Sequence, residues 1–407
     1  MEELKQLEKS GKYDELISSI NNLLKTDIKN INDPYIKSWL GKRWRNIFIN
    51  ESSKIEKAVE TATKKKIFGK DERPPKEKVA FRYLRGDGPD EWKNEFPEAS
   101  LKPIKNTTLI FCPGLLSGLL PVMAFKEEFP LIKEKFDINI IQSDSHPMRS
   151  CEANMADLLN AIEKGKGMNY LTEEIKEEDA IPPEGDLFVI TYSKGAADLL
   201  TLLVNRPELA PRIKCVFNWA GAPGGSYLAN SIYDSIKGLK LELPEGIEIP
   251  EELVNIFHVI SPAITLPKQI RRLPEYDIQG ALKDLTTTAR GEFLEENLSK
   301  INDLNIPFFN ITGSTTAMEV PYFQLQGVLE LNKYDANNDM QATQKHSKIE
   351  IPMATDLALL HGHHWDLSYG PFPERMRLGS PNLDHPFPRE AALSAMILFA
   401  SELGFIS

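Results

Sequence analysis

The chain has 407 residues, 41% of them hydrophobic and 26% charged, with a formal net charge of −11. That length can bury a large core, that composition is globular rather than disordered, and that acidic balance argues against a nucleic-acid-binding surface. No apolar run approaches the ~18 residues of a membrane span, the opening MEELKQLEKSGKYDEL lacks the apolar region of a signal peptide, and only three cysteines, Cys112, Cys151 and Cys215, fit reduced thiols in a cytoplasm.

Leu4, Leu7, Leu16, Ile17, Ile20, Leu23 and Leu24 recur at helical spacing. Ile36, Leu40, Trp44, Ile47 and Phe48 predict a second helical stretch after Pro34. Residues 1–100 therefore read as an N-terminal helical extension. Within it, Thr63–Lys78 (TKKKIFGKDERPPKEK) is basic and proline-containing. Asp71, Glu72 and Glu77 are interspersed, so it reads as a solvated linker rather than a lipid or nucleic-acid contact.

From Thr107 strands alternate with helices. Thr108–Phe111 is a strand, a helix lies within Pro121–Phe136, and Ile138–Ser143 is a second strand. Asp144–Arg149 forms a loop, in which His146 is a residue near the sheet edge, and Asn154–Lys164 is a helix. Leu187–Ile190 is the next strand, and a helix starts at Ala196. Cys215–Gly221 is the strand after it. This alternation predicts an α/β fold, a mostly parallel sheet with helices on both faces, whose first part spans 101–225. Residues 226–303 break the rhythm, with prolines at 244, 250, 262, 267 and 274. An insertion of that length reads as a helical lid. The core resumes over 304–407 with strands Pro307–Gly313 and Leu357–Leu360 and a closing amphipathic helix over Glu390–Phe405.

One stretch organises these elements. In Asp186–Leu200, DLFVITYSKGAADLL, an apolar strand runs into a tight turn at Ser193 and then into a helix. That context is what the G-x-S-x-G elbow requires, although Thr191 replaces the first glycine. Outside it, Ser193 would be an ordinary helix N-cap. A serine hydroxyl needs a base to become a nucleophile. Several aspartates follow Ser193, and then His361-Gly362-His363-His364-Trp365-Asp366 comes directly after the last strand. A dinuclear H-x-H-x-D-H metal motif fails there, because Trp365 and Asp366 stand where Asp and His are needed. The cysteine spacing fits no zinc site. Pro223 and Ser226 break a G-x-G-x-x-G reading from Gly221, and no P-loop signature is present. No cofactor and no metal is expected.

The segments TYSKGAADLL, VFNWAGAPGGS, NNDMQA and GHHWDL together resemble the α/β-hydrolase superfamily, especially bacterial lipase- or esterase-like serine hydrolases. The resemblance runs from about residue 105 onward. It implies the α/β-hydrolase fold, Ser193 as nucleophile, Asp339 as acid and His364 as base. Met340 stands where glycine is usual after the acid, and His363 where Asp or Asn is usual before the histidine. Asp335, Asp356 and Asp366 are rival acids, and His361 and His363 rival bases. The backbone N–H of Lys194 and that of Leu115, with Leu116 as the alternative, are the implied oxyanion donors.

The implied function is hydrolysis of a carboxylic ester through an acyl-enzyme. Leu115, Leu116, Leu119, Leu120, Val122 and Met123 near the oxyanion position favour an apolar acyl group, so the expected partner is a small-molecule or lipid-like ester. A non-catalytic ligand-binding protein on the same fold and an acyltransferase using the same triad are the alternatives. The sequence specifies no oligomeric state.

Overall fold

The structure is a computed structural model and describes residues 1–65, 69–99, 101, 104, 106–239, 251–265 and 271–407. Part of the basic stretch (66–68) and part of the expected lid (240–250 and 266–270, with Pro244, Pro250 and Pro267) lie outside the described residues.

The first helices are α1 (Glu2–Lys9), α2 (Tyr13–Thr26) and α3 (Pro34–Ser53). The start of α3 follows from its sequence. The Asp33 carboxylate accepts from the N–H of Tyr35 at 2.8 Å and of Ile36 at 3.3 Å. Pro34 sits in the first turn, where a missing N–H is harmless. Then come α4 (Glu56–Ala62) and α5 (Pro75–Tyr83).

Six strands follow: β1 (Thr107–Cys112), β2 (Asn139–Gln142), β3 (Asp186–Ser193), β4 (Ile213–Gly221), β5 (Phe308–Ser314) and β6 (Ala354–His361). They form one sheet in the order β2-β1-β3-β4-β5-β6, with every neighbouring pair parallel. Strands buried on both faces need no polar alternation, and Leu187–Tyr192 of β3 is buried throughout. The chain runs outward from β1 to β2 and then returns to β3 on the other side of β1. That reversal opens a crevice beyond the carboxyl ends of β1 and β3, the usual ligand position of an open parallel sheet.

Around the sheet lie α6 (Glu128–Phe136), α7 (Cys151–Lys164) and α8 (Lys194–Asn205). Between β4 and β5 come α9 (Tyr227–Ile236), α10 (Glu251–Ile260), α11 (Ile278–Lys283) and α12 (Thr287–Asp303), where the lid was expected. After β5 come α13 (Leu325–Leu331) and α14 (Gln344–Ser347), and after β6 come α15 (Glu374–Gly379) and α16 (Arg389–Glu402).

Two expectations need correction. The closing helix is not amphipathic. Every residue of α16 except Glu390 is buried. Phe399 packs edge-on against Phe217 and Phe309 of the sheet, and α3 and α6 pack against the helix as well. Its charges survive burial because each is paired. The Arg43 guanidinium of α3 forks onto the Glu402 carboxylate at 2.5 and 2.7 Å, and Arg389 reaches Glu128 at 2.7 Å. The first hundred residues thus share one continuous core with the sheet. The last strand is also longer than Leu357–Leu360, so His361 is its final residue rather than part of the loop.

Candidate active site

Ser193 ends β3 and caps α8 with φ +54° and ψ −124°. A non-glycine residue held there is strained, and such strain persists only where surrounding structure over-determines it. The constraint comes from close packing at the turn. A Cβ on Gly195 would lie 2.2 Å from the Cys112 carbonyl oxygen and 2.7 Å from that of Pro113. One on Gly114 would lie 2.7 Å from the Ser193 Cβ. Glycine at both positions lets the first turn of α8 pass over the end of β1. Thr191 is accommodated inside β3, fully buried, and its hydroxyl has no hydrogen-bond partner among the described residues.

His364 follows β6, and its Nδ1 lies 2.7 Å from Asp339 Oδ2. The pair is buried on both sides. The His364 N–H also donates to the Asp339 carbonyl at 2.7 Å, so ring and backbone are held together. Asp339 Oδ1 accepts from the N–H of Gln341 at 2.9 Å and of Ala342 at 2.8 Å. These bonds orient the carboxylate and stabilise its charge. Met340 sits between with φ +83° and a fully buried side chain, a conformation glycine adopts without cost. Its N–H donates to Asn338 Oδ1 at 3.1 Å.

The rival residues lie elsewhere. Asp335 accepts from the N–H of Asn337 at 2.8 Å and of Gln344 at 2.9 Å, a turn role. Asp356 is exposed and binds Lys348 at 2.6 Å and Asn310 at 2.9 Å. His361 Nε2 meets Glu319 at 2.6 Å, which holds the Glu319 carboxyl down at about 2. His363 Nδ1 accepts from the Asp366 N–H at 3.1 Å, and burial lowers the His363 imidazole. His363 and Asp366, with His361 and Glu319, line a separate polar cavity.

Ser193 and His364 line one cleft of about 470 Å³. Its walls are largely apolar. Leu115, Leu116 and Leu120 come from the loop after β1, Leu228, Ala229 and Ile232 from α9, and Leu282 and Leu285 from α11 and the residues after it. Phe323, Trp365 and Tyr369 line it as well. Leu119, Val122 and Met123, expected near the oxyanion position, line other cavities instead. The Leu116 N–H donates to the Pro147 carbonyl at 3.1 Å. The Leu115 N–H has no such bond among the described residues.

Sequence reasoning missed Tyr192. Its ring stacks on His364 with centroids 4.8 Å apart, and its hydroxyl donates to the His364 carbonyl at 3.1 Å. Burial raises the Tyr192 phenol well above its ordinary value, so it stays a donor. Nothing in a local window marks it, because its partner is 172 residues away. Among the described residues no group of three or more His, Cys, Asp or Glu side chains is arranged to hold a metal ion. None of their helices is long and apolar enough to cross a membrane.

No protein-family profile and no curated protein sequence matches the chain. Among solved structures, a metagenomic carboxyl esterase superposes with a TM-score of 0.55 at 20% identity, over 76% of this chain and 79% of that one. The chain has the α/β-hydrolase fold. The mature lipase of Bacillus licheniformis is 16% identical over 66% of this chain and 89% of its own, with a TM-score of 0.42. A lipase-esterase related protein from Clostridium acetobutylicum is 16% identical over 65% and 90%, with a TM-score of 0.35. Within the α/β-hydrolase fold a serine elbow, an acid and a histidine follow one another along the chain. Here Ser193 ends β3, Asp339 lies between β5 and β6, and His364 follows β6.

Proposed function

We propose that the protein hydrolyses carboxylic esters with an apolar acyl part, using Ser193, His364 and Asp339. One observation carries the reading. A serine in a strained elbow opens into the same cleft as a histidine whose far nitrogen is 2.7 Å from a buried carboxylate. In this mechanism His364 Nε2 takes the Ser193 proton as Oγ attacks the acyl carbonyl. Asp339 holds the Nδ1–H tautomer and stabilises the imidazolium. The N–H groups of Lys194 and Leu115 receive the oxyanion; the Leu116 N–H, bonded to Pro147, is the weaker choice. His364 then protonates the leaving alcohol, and water releases the acid. The apolar walls favour an acyl chain over a charged group. Three buried, unpaired thiols, each raised by burial, support a reducing compartment such as the cytoplasm.

The test is labelling with a fluorophosphonate, read by intact mass. One adduct on wild type, lost in Ser193→Ala and His364→Ala, is expected. A folded wild type that takes up no adduct and cleaves no p-nitrophenyl ester would point to a ligand-binding protein instead. Ester formation outpacing hydrolysis when an alcohol is added would make it an acyltransferase.

A further inference from the structure

The residue after the nucleophile carries a charge that its position does not require. The side chain of Lys194 is 1% exposed, turned away from the cleft and buried beneath the elbow. Its ammonium sits 2.5 Å from Asp198 Oδ1, one turn along α8. Burial, the largest single influence, pulls the ammonium down, but Asp198 together with Cys151 and Asp284 leaves the group raised. Asp198 Oδ2 accepts from Asn154 Nδ2 on α7 at 3.0 Å. The same amide reaches the His146 carbonyl at 3.3 Å, in the loop after β2. The next carbonyl in that loop, Pro147, is the one that accepts from the Leu116 N–H at 3.1 Å. Asp198 and Asn154 are both 1% exposed.

The chain of contacts thus begins at one oxyanion donor residue and ends beside the other. Lys194 starts α8, and Leu115 stands on the loop after β1. The two segments pack closely where Gly195 lies against Cys112 and Pro113 and Gly114 lies against Ser193. Leu116, with φ +65°, is where the loop backbone turns sharply. We propose that Lys194, Asp198 and Asn154 are positioning residues for the oxyanion hole. They set the distance and angle between the N–H groups of Lys194 and Leu115 by fixing the His146–Pro147 segment that anchors Leu116. This rests on the reading of Ser193 as the nucleophile. A buried ion pair is weak as a source of stability, because removing both partners together is often neutral or favourable. Precise placement of donors, in contrast, matters directly. Losing one oxyanion donor costs about 10²–10³ in turnover, and displacing it costs part of that.

The experiment compares wild type with Asn154→Ala and with the paired substitution Lys194→Met/Asp198→Leu. It measures kcat and KM on a p-nitrophenyl ester, the turnover ratio of that ester to its thiono analogue, and Tm. A thiono sulfur fits a hole built for oxygen poorly, so the ratio reports the hole itself. At least one variant is expected to keep Tm within a few degrees and KM within about twofold. Its kcat should fall by about tenfold or more, and its oxo-to-thiono ratio should fall with it. If both variants keep the wild-type ratio and kcat per folded molecule, or if only Tm falls, the network is structural and the proposal is overturned. If wild type neither turns over the ester nor takes up the fluorophosphonate, the ester-hydrolase reading fails first, and the positioning role fails with it. The two failures are therefore told apart by the wild-type control.

Discussion

Two buried ion pairs hold this molecule in different ways. Lys194 and Asp198 lie four residues apart on one helix, directly under the elbow. Arg43 and Glu402 lie 359 residues apart and join the third helix to the last. Both are nearly free of solvent. The first pair stays within α8 and reaches the site through Asn154. The second makes a two-pronged contact between α3 and α16 and has no route to the cleft in the hydrogen bonds described. The contrast separates what the chain uses to shape a site from what it uses to close a core. A charge placed under the site should move turnover more than stability, and a charge that joins distant helices should do the opposite.

The sharpest division comes from Ser193→Ala and Arg43→Leu. For Ser193→Ala, ester turnover should fall by about 10⁴-fold or more, since removing the nucleophile of a triad typically costs about 10⁶. The melting temperature should hold within a few degrees, because alanine keeps the Cβ that the strained backbone already carries and only the hydroxyl is lost. Steady-state rates with a thermal melt check this. Arg43→Leu should behave in reverse. It removes the Arg43 fork from the buried Glu402 carboxylate, and breaking one side of a buried pair costs about 3–5 kcal/mol, while kcat per folded molecule stays within about twofold. Urea unfolding gives the first number and active-site titration the second. If Arg43→Leu lost turnover at full stability, the α3–α16 contact would belong to the site after all.

The same contrast explains what the sequence makes legible. The elbow is visible because its signal is local: an apolar strand, a tight turn and a small-residue helix start within fifteen residues. Chain order leaves several aspartates and three histidines open; it is the resemblance of NNDMQA and GHHWDL to hydrolase loops that singles out Asp339 and His364, two side chains that lie 2.7 Å apart in the structure. The alternation of strands and helices from Thr107 is also visible, because each element carries its own period. What stays hidden is long-range. The closing helix reads as amphipathic because its end charges look solvent-bound, and nothing nearby announces that Arg43 and Glu128 are there to pair them. Helix α3 has the same problem in reverse, since Arg43, Asn46 and Glu51 look like a wet face until α16 is packed beside it. Tyr192 reads as one more strand residue until His364 is laid against it.

Acid should separate the two regions as well. His146 belongs to the loop that the elbow network holds. It is 2% exposed, its Nδ1 accepts from the Met148 N–H at 3.2 Å, and its Nε2 lies 3.3 Å from the Arg272 carbonyl. Burial first, then the Arg272 and Arg149 charges, push its imidazole down to about 4. The unfolded chain titrates near the ordinary 6.5. Between those values the unfolded state binds a proton that the native state refuses, so stability rises with pH across this window. That contribution is full above about 6.5 and is lost as pH falls toward 4. It amounts to something on the order of 3 kcal/mol at 1.36 kcal/mol per unit. His363 and His385, also lowered by burial, act in the same direction. Stability measured in urea from pH 4.5 to 7.5 should slope upward in wild type and less steeply in His146→Asn, whose amide can still accept from Met148. Neither α3 nor α16 contains a histidine, so the paired substitution Arg43→Leu/Glu402→Leu, which leaves neither charge of the pair behind, should keep the wild-type slope. An unchanged slope in His146→Asn would move the acid sensitivity to His363 and His385, on the other side of His364.

The smallest effect is expected at Met340, the residue after the proposed acid Asp339. Its φ of +83° costs a side chain about 1–2 kcal/mol that glycine would not incur. Against this, the thioether is fully buried, and removing a buried side chain of that size typically costs about 2–5 kcal/mol. Glycine would also gain freedom in the unfolded chain. Met340→Gly should therefore lower stability by only about 1–2 kcal/mol, well short of Arg43→Leu. Turnover should stay within about threefold. Asp339 is held by the N–H groups of Gln341 and Ala342 and by its own contact with His364, none of which uses the Met340 side chain. If the glycine variant were more stable than wild type, the packing around Met340 would be worth less than the backbone strain it offsets. If it lost turnover at near-normal stability, the methionine would be holding the Asp339 turn in place, and the division between residues that shape the site and residues that fill the core would break down within this loop.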